Sequence, residues 1–206
     1  VKDNKLDIDI MKSVWFHPTL TTRHFLEKNS WSAAAFIVAI SSLSQLFITY
    51  FNSYDDPNIS SAYELGWFGI IIGPILAPLF FWVTSFAFWL VSRLFRGKAT
   101  IRQTYLAMAM PALLTIPFLP VLGGWFVASR DSFVDPFHYG GLDLIATLVG
   151  IAIMIVNVWS FIVSIAAIAE ANKIGKWAAF FVLIIPISLI IVIILAVLAL
   201  FFVAVF

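Results

Sequence analysis

Cysteine is absent from these 206 residues, and charged side chains make up only 11% of them. The first absence removes disulfides, thiolate metal sites and cysteine nucleophiles, and leaves the redox compartment unreadable. The second lies far below the roughly 25% charged of an average soluble domain. Histidine occurs three times, with His17 and His24 near the start and His138 far along the chain. No H-E-x-x-H helix, G-x-S-x-G elbow, phosphate-cradling loop or nucleic-acid motif is present. Enzymatic chemistry, a metal or cofactor site and nucleic-acid binding are therefore not expected.

Long uncharged runs fill the space instead. Between consecutive charged residues lie 29–54, 65–92, 103–129, 144–169 and 177–206, which are 26, 28, 27, 26 and 30 residues long. A bilayer core about 30 Å thick needs about 20 apolar residues as a helix. None of the five runs carries the charged stripe of a soluble amphipathic helix. The expected fold is an all-α, polytopic membrane bundle of five transmembrane helices. Residues 1–30 form a cytoplasmic segment with an interfacial helix, and residues 31–206 form the membrane domain. Residues 1–28 mix charges without a short apolar core and cleavage site, so the first span is expected to serve as its own signal.

Charge is scarce but sorted. The segment before span one and the loops after spans two and four hold eleven of the twelve basic residues, against five acidic ones. The other two loops hold one basic residue against six acidic ones. Short loops rich in Lys and Arg stay cytoplasmic, so the N-terminus is expected inside and the C-terminus outside. Ion-coupled transport usually needs ionisable groups within the spans. Here all Asp, Glu, Lys and Arg residues lie at or beyond the span ends, which argues against a proton-coupled pump.

Each span has its own pattern. Residues 19–29 suit a short interfacial helix with Pro18 near its start, and Leu20, Phe25 and Leu26 are available for the membrane. In span one, Ala35, Ala39, Ser42, Gln45 and Thr49 share an arc. In span two, Gly66, Gly69, Gly73, Ala77, Thr84 and Ala87 do so, with Pro74 and Pro78 expected to kink the helix. Such small and polar faces suit close helix packing. Gly73→Leu is accordingly expected to damage assembly more than Leu198→Ala. Thr100 and Gln103 have capping-box spacing, which starts span three near Ile101.

Pro111, Pro117, Pro120 and Gly123-Gly124 interrupt span three. One reading ends the crossing near Pro120, leaving Trp125, Phe126, Phe133, Phe137 and Tyr139 in an outer aromatic belt. The other is a broken helix framing a substrate site. In span four, Asn157 lies mid-membrane with Ser160 and Ser164 on its side, as a tie between helices or as the lining of a path. Span five is apolar all round and suits a lipid-facing helix. The basic rim comprises Arg23, Lys28, Arg93, Arg96, Lys98, Arg102, Lys173 and Lys176. It suits anionic lipid or an acidic partner, and solvated, topology-setting charge explains it equally well. The acidic loops have a weak capacity for cations.

Several segments taken together resemble the Yip domain family of Ypt-interacting proteins. They are Trp15-Phe16-His17-Pro18 with Thr22-Arg23, then Phe95-Arg96-Gly97-Lys98-Ala99-Thr100 leading into 107–111, then 159–167 followed by Glu170, Lys176 and Ala178. The resemblance implies a five-helix membrane fold without enzymatic activity, and it transfers no catalytic residue. Eukaryotic members act in vesicle traffic with prenylated small GTPases and have a longer cytoplasmic N-terminal region, so a GTPase partner is not expected here. The lean loops look more like a prokaryotic member in the cell membrane. That implies a scaffold or accessory subunit for other membrane machinery, such as an export transporter, or one that self-associates. A small transporter working through span three is the alternative.

Overall fold

In an apolar surrounding every backbone N–H and C=O must be paired internally, and a helix achieves this within one segment. The computed structural model describes residues 10–52, 59–128, 133 and 143–205, and it is built in that way. In chain order it comprises α1 (Ile10–Phe16), α2 (Pro18–Lys28), α3 (Trp31–Asn52), α4 (Ile59–Leu94) and α5 (Ile101–Ala109). A 3-10 turn (Pro111–Leu114), α6 (Phe118–Ala128), α7 (Asp143–Asn172) and α8 (Lys176–Val205) follow. Among the described residues, α3, α4, α7 and α8 are each long and apolar enough to cross a membrane. The stretch from α5 to α6 qualifies only as a bent pair, with an angle of 49° at its break.

That bent pair is the centre of the molecule. Thr100 accepts from the backbone N–H of Gln103, and the Gln103 side chain accepts from Thr100 N–H, so the expected capping box closes. Three turns on, Pro111 supplies no N–H, and the α-helix gives way to the 3-10 turn. Helix α6 then restarts at Phe118 and continues through Pro120 and Gly123-Gly124 to Ala128. Pro120 sits in its first turn, where a missing N–H costs nothing. The helix therefore does not stop near Pro120 but breaks at 115–117 and runs on to Ala128. Leu122 is fully buried and Phe47 of α3 packs over Gly123.

Around this centre the other helices pack by their small and apolar faces. Tyr105 lies between Trp31, with ring centroids 4.7 Å apart, and Phe81, at 5.4 Å. One core cluster joins Val14 and Phe25 to Ala34, Leu106, Met110, Leu114, Val163 and Ala167. A second gathers Phe47, Phe51, Leu122, Phe133 and Ile153. A third holds the start of α8, through Ala179, Val182 and Leu183, against Phe88 and Ile168. Beyond Pro186 the described side chains of α8 are exposed on every side, which suits a lipid-facing helix.

Three expectations change. Phe25, available for the membrane by sequence, is 1% exposed, because α1 and α2 fold back onto the bundle. A hydrogen bond of 2.6 Å between Ser13 Oγ and Thr21 Oγ1 holds the two together. The buried side of α3 is Ala34, Val38, Ser41, Ser44 and Ile48, one position away from the expected arc, which leaves Gln45 and Thr49 exposed. Phe133 is enclosed by Phe47, Phe51, Trp125 and Phe126 rather than presented to an interface. Phe137 and Tyr139 lie outside the described residues, as does the Gly66 side of α4.

Candidate functional site

Two places gather the residues that the sequence singles out. The first is a knot at the basic end of the bundle. Helix α4 ends with Gly97 N–H donating to Ser92 O at 2.9 Å and Arg96 N–H to Arg93 O at 3.1 Å, the paired bonds of a Schellman motif. Arg96 takes the left-handed conformation there, with φ 59°. Lys173 does the same after α7, with φ 55°, and Ile174 N–H donates to Ala169 O. Lys98 N–H donates to Asn172 O at 3.0 Å and so stitches the two helix ends together.

Side chains tighten the knot. Arg93 donates to Gly97 O and Ala99 O, both at 2.8 Å, and its guanidinium stacks on Trp89 at 4.9 Å. Trp89 Nε1 donates to the same Ala99 O at 3.1 Å. Arg102 donates to Asn29 O at 3.0 Å. Arg23 on α2 donates to Glu170 on α7 at 2.8 Å, and Lys173 donates to the same oxygen at 2.5 Å. The hydrogen bond and charge of Glu170 push the Arg23 pKa above its ordinary value. The basic rim therefore divides in two. Arg23, Arg93, Arg102 and Lys173 are structural ties, whereas Lys28, Arg96, Lys98 and Lys176 present exposed side chains that make none of these bonds.

The second place is a lateral groove of about 480 Å³ between α3 and α4 on one side and α7 on the other. The 3-10 break forms its floor, with Pro111, Ala112 and Thr115. Gln45, Ala77, Asn157, Ser160 and Ser164, five of the seven helix-face candidates, all line it. Its hydroxyls mostly bond back to their own helices: Ser42 to Ala39 O at 2.7 Å, Thr84 to Phe80 O at 3.0 Å and Ser164 to Ser160 O at 2.7 Å. Ser160 Oγ is buried and has no hydrogen-bond partner among the described residues. The amides of Gln45 and Asn157 are exposed to the groove and make no hydrogen bond to any described residue. Unpaired polar groups in hydrocarbon cost several kcal/mol each.

The two glycine candidates separate. A Cβ on Gly69 would meet Leu46 Cδ1 at 3.1 Å, a close contact between α3 and α4. A Cβ on Gly73 would meet nothing within 4 Å, which removes the premise that this position governs packing. Trp89, Gly97 and Asn172 were not singled out as knot residues by sequence reasoning. The available signal was an asparagine just beyond the end of an uncharged run, directly before a basic turn.

A family profile described as the Yip1 domain matches residues 12–199. The chain belongs to the Yip1 domain family. The match runs from within α1 to late in α8, so both the knot and the groove lie inside the family's domain. No curated protein and no solved structure matches the chain. Among the described residues of this Yip1 domain, no group of three or more His, Asp or Glu side chains converges as a metal site would require.

Proposed function

We propose that this Yip1 domain is a non-enzymatic accessory subunit that receives a transmembrane helix of another integral membrane protein in its lateral groove. The observation that carries the reading is the pair of amides, Gln45 and Asn157, which bond to no described residue, in an otherwise mostly apolar groove that opens sideways. Asn157 lies mid-way along a 30-residue span, where water is scarce and a polar side chain of a neighbouring helix is the natural partner. The short, lean loops suit machinery such as an export transporter in a prokaryotic cell membrane, with the N-terminus inside and the C-terminus outside. Self-association is the competing form of the same reading.

A photo-crosslinking residue at Gln45, compared with one at Leu198, tests it in native membranes. The expected adduct at Gln45 maps to a transmembrane helix with a polar residue at mid-depth, disappears with Asn157→Leu, and is missing at Leu198. Monomer alone, or equal capture at both positions, refutes it. A small permeability protein is the second reading, favoured by the 49° break in span three. The chain has no native cysteine, so single cysteines at Asn157 and Pro117 give clean labelling. Reaction with a membrane-impermeant thiol reagent would favour that reading.

A further inference from the structure

A separate cleft of about 500 Å³ lies at the basic end, between the start of α2, the outer side of α7 and the first residue of α8. Phe16, His17, Leu20, Ile162, Ile165 and Lys176 line it. We propose that this cleft holds one acidic glycerophospholipid, its phosphate beside Lys176 and one acyl chain along Ile165 and Ile162.

The direction of the cleft fits that shape. At 1.5 Å per helical residue, Ile165 lies about 8 Å and Ile162 about 12 Å deeper along α7 than Glu170. The cleft thus runs from headgroup level into the hydrocarbon. Trp177, next to Lys176 and 79% exposed, is an interfacial anchor at the same level. Phe16 and Leu20, also exposed, offer apolar rim to a chain.

The charge of the lining selects the headgroup. Among the described residues that line it, Lys176 is the one formally charged member and none is a carboxylate. The neighbouring carboxylate, Glu170, is engaged by Arg23 and Lys173. A phosphate is therefore attracted without a competing anion, whereas a choline ammonium meets only a like charge. A free phosphate ion would exchange its hydration for a mostly apolar wall and a single cation, a losing exchange. The inference is independent of the groove, which lies on other residues.

Native mass spectrometry of the full chain, with equimolar phosphatidylglycerol and phosphatidylcholine added, tests the assignment. The chain is expected to retain phosphatidylglycerol about fivefold better, in keeping with the usual contribution of one basic residue near a membrane surface. Lys176→Gln, a surface change that spares the fold, should bring the two lipids to parity. Lys98→Gln, at the same end but outside the cleft, should leave the preference intact. Ile162→Trp, at a part-exposed position, should fill the cleft and reduce retention of both lipids. Equal loss with Lys98→Gln would mean diffuse surface charge and overturn the site. Unchanged preference with Lys176→Gln, unchanged retention with Ile162→Trp, or displacement of the lipid by millimolar inorganic phosphate would overturn it too.

Discussion

Gly97 is where a single missing atom matters most. A Cβ there would lie 2.6 Å from Asn172 Oδ1 and 2.9 Å from both Ser92 O and Ser92 Oγ. Ser92 O is backbone and already accepts the Gly97 N–H, so it has nowhere to go without opening the turn. Gly97→Ala should therefore lower stability by about 1–3 kcal/mol, the usual range for overpacking. Gly73→Leu, with open space around it, should fall within about 0.5 kcal/mol of the parent. Leu198, 57% exposed on a lipid-facing stretch, should tolerate alanine equally well. Thermal unfolding in detergent ranks the three. A Gly73→Leu loss as large as that of Gly97→Ala would mean that α4 is packed at Gly73 after all.

At the scale of elements, Glu170 decides whether α2 stays on the bundle. Helix α2 has 11 residues, too few to persist alone in water. Its tether is the Arg23–Glu170 bond, reinforced by Lys173, together with buried Phe25. Glu170→Gln should speed amide exchange throughout α2 while leaving the middle of α7 protected. High salt should reproduce part of the effect, because Arg23 is solvent-exposed and screened. Unchanged exchange in α2 would assign the tether to Phe25 alone. The span boundaries were legible in the sequence because charge stops where hydrocarbon begins, and Thr100 with Gln103 announced the start of α5. The inward folding of α2 was not, since an apolar face such as Phe25 and Leu26 serves a membrane or a bundle equally well. The groove was half legible: Asn157, Ser160 and Ser164 stood out by type. That Gln45 faces them, and that Gly69 rather than Gly73 meets a neighbour, depends on where α3 crosses α4, which no local pattern encodes.

For the whole molecule, the knot fixes how many times the chain crosses. Arg23 meets Glu170, and Lys98 N–H meets Asn172 O, so residues 23, 98 and 172 share one end of the bundle. Helix α3 leads away from that end and α4 returns to it. Helix α7, about 45 Å long at 30 residues, also finishes there, so it must start from the opposite end. The chain between Ala99 and the start of α7 therefore has to cross, and the bent pair α5–α6 is a span rather than a re-entrant loop. This leaves one question of sign, namely which end faces the cytoplasm. Lys and Arg crowd the knot end, and translocating such loops is disfavoured. Reporter fusions after Arg96 should accordingly read cytoplasmic, and those after Asp55 and Asp135 external. A cytoplasmic signal after Asp135, with an external one after Asp55, would break the parity argument. Reversal at all three positions would keep the five crossings and overturn only the charge rule for this chain.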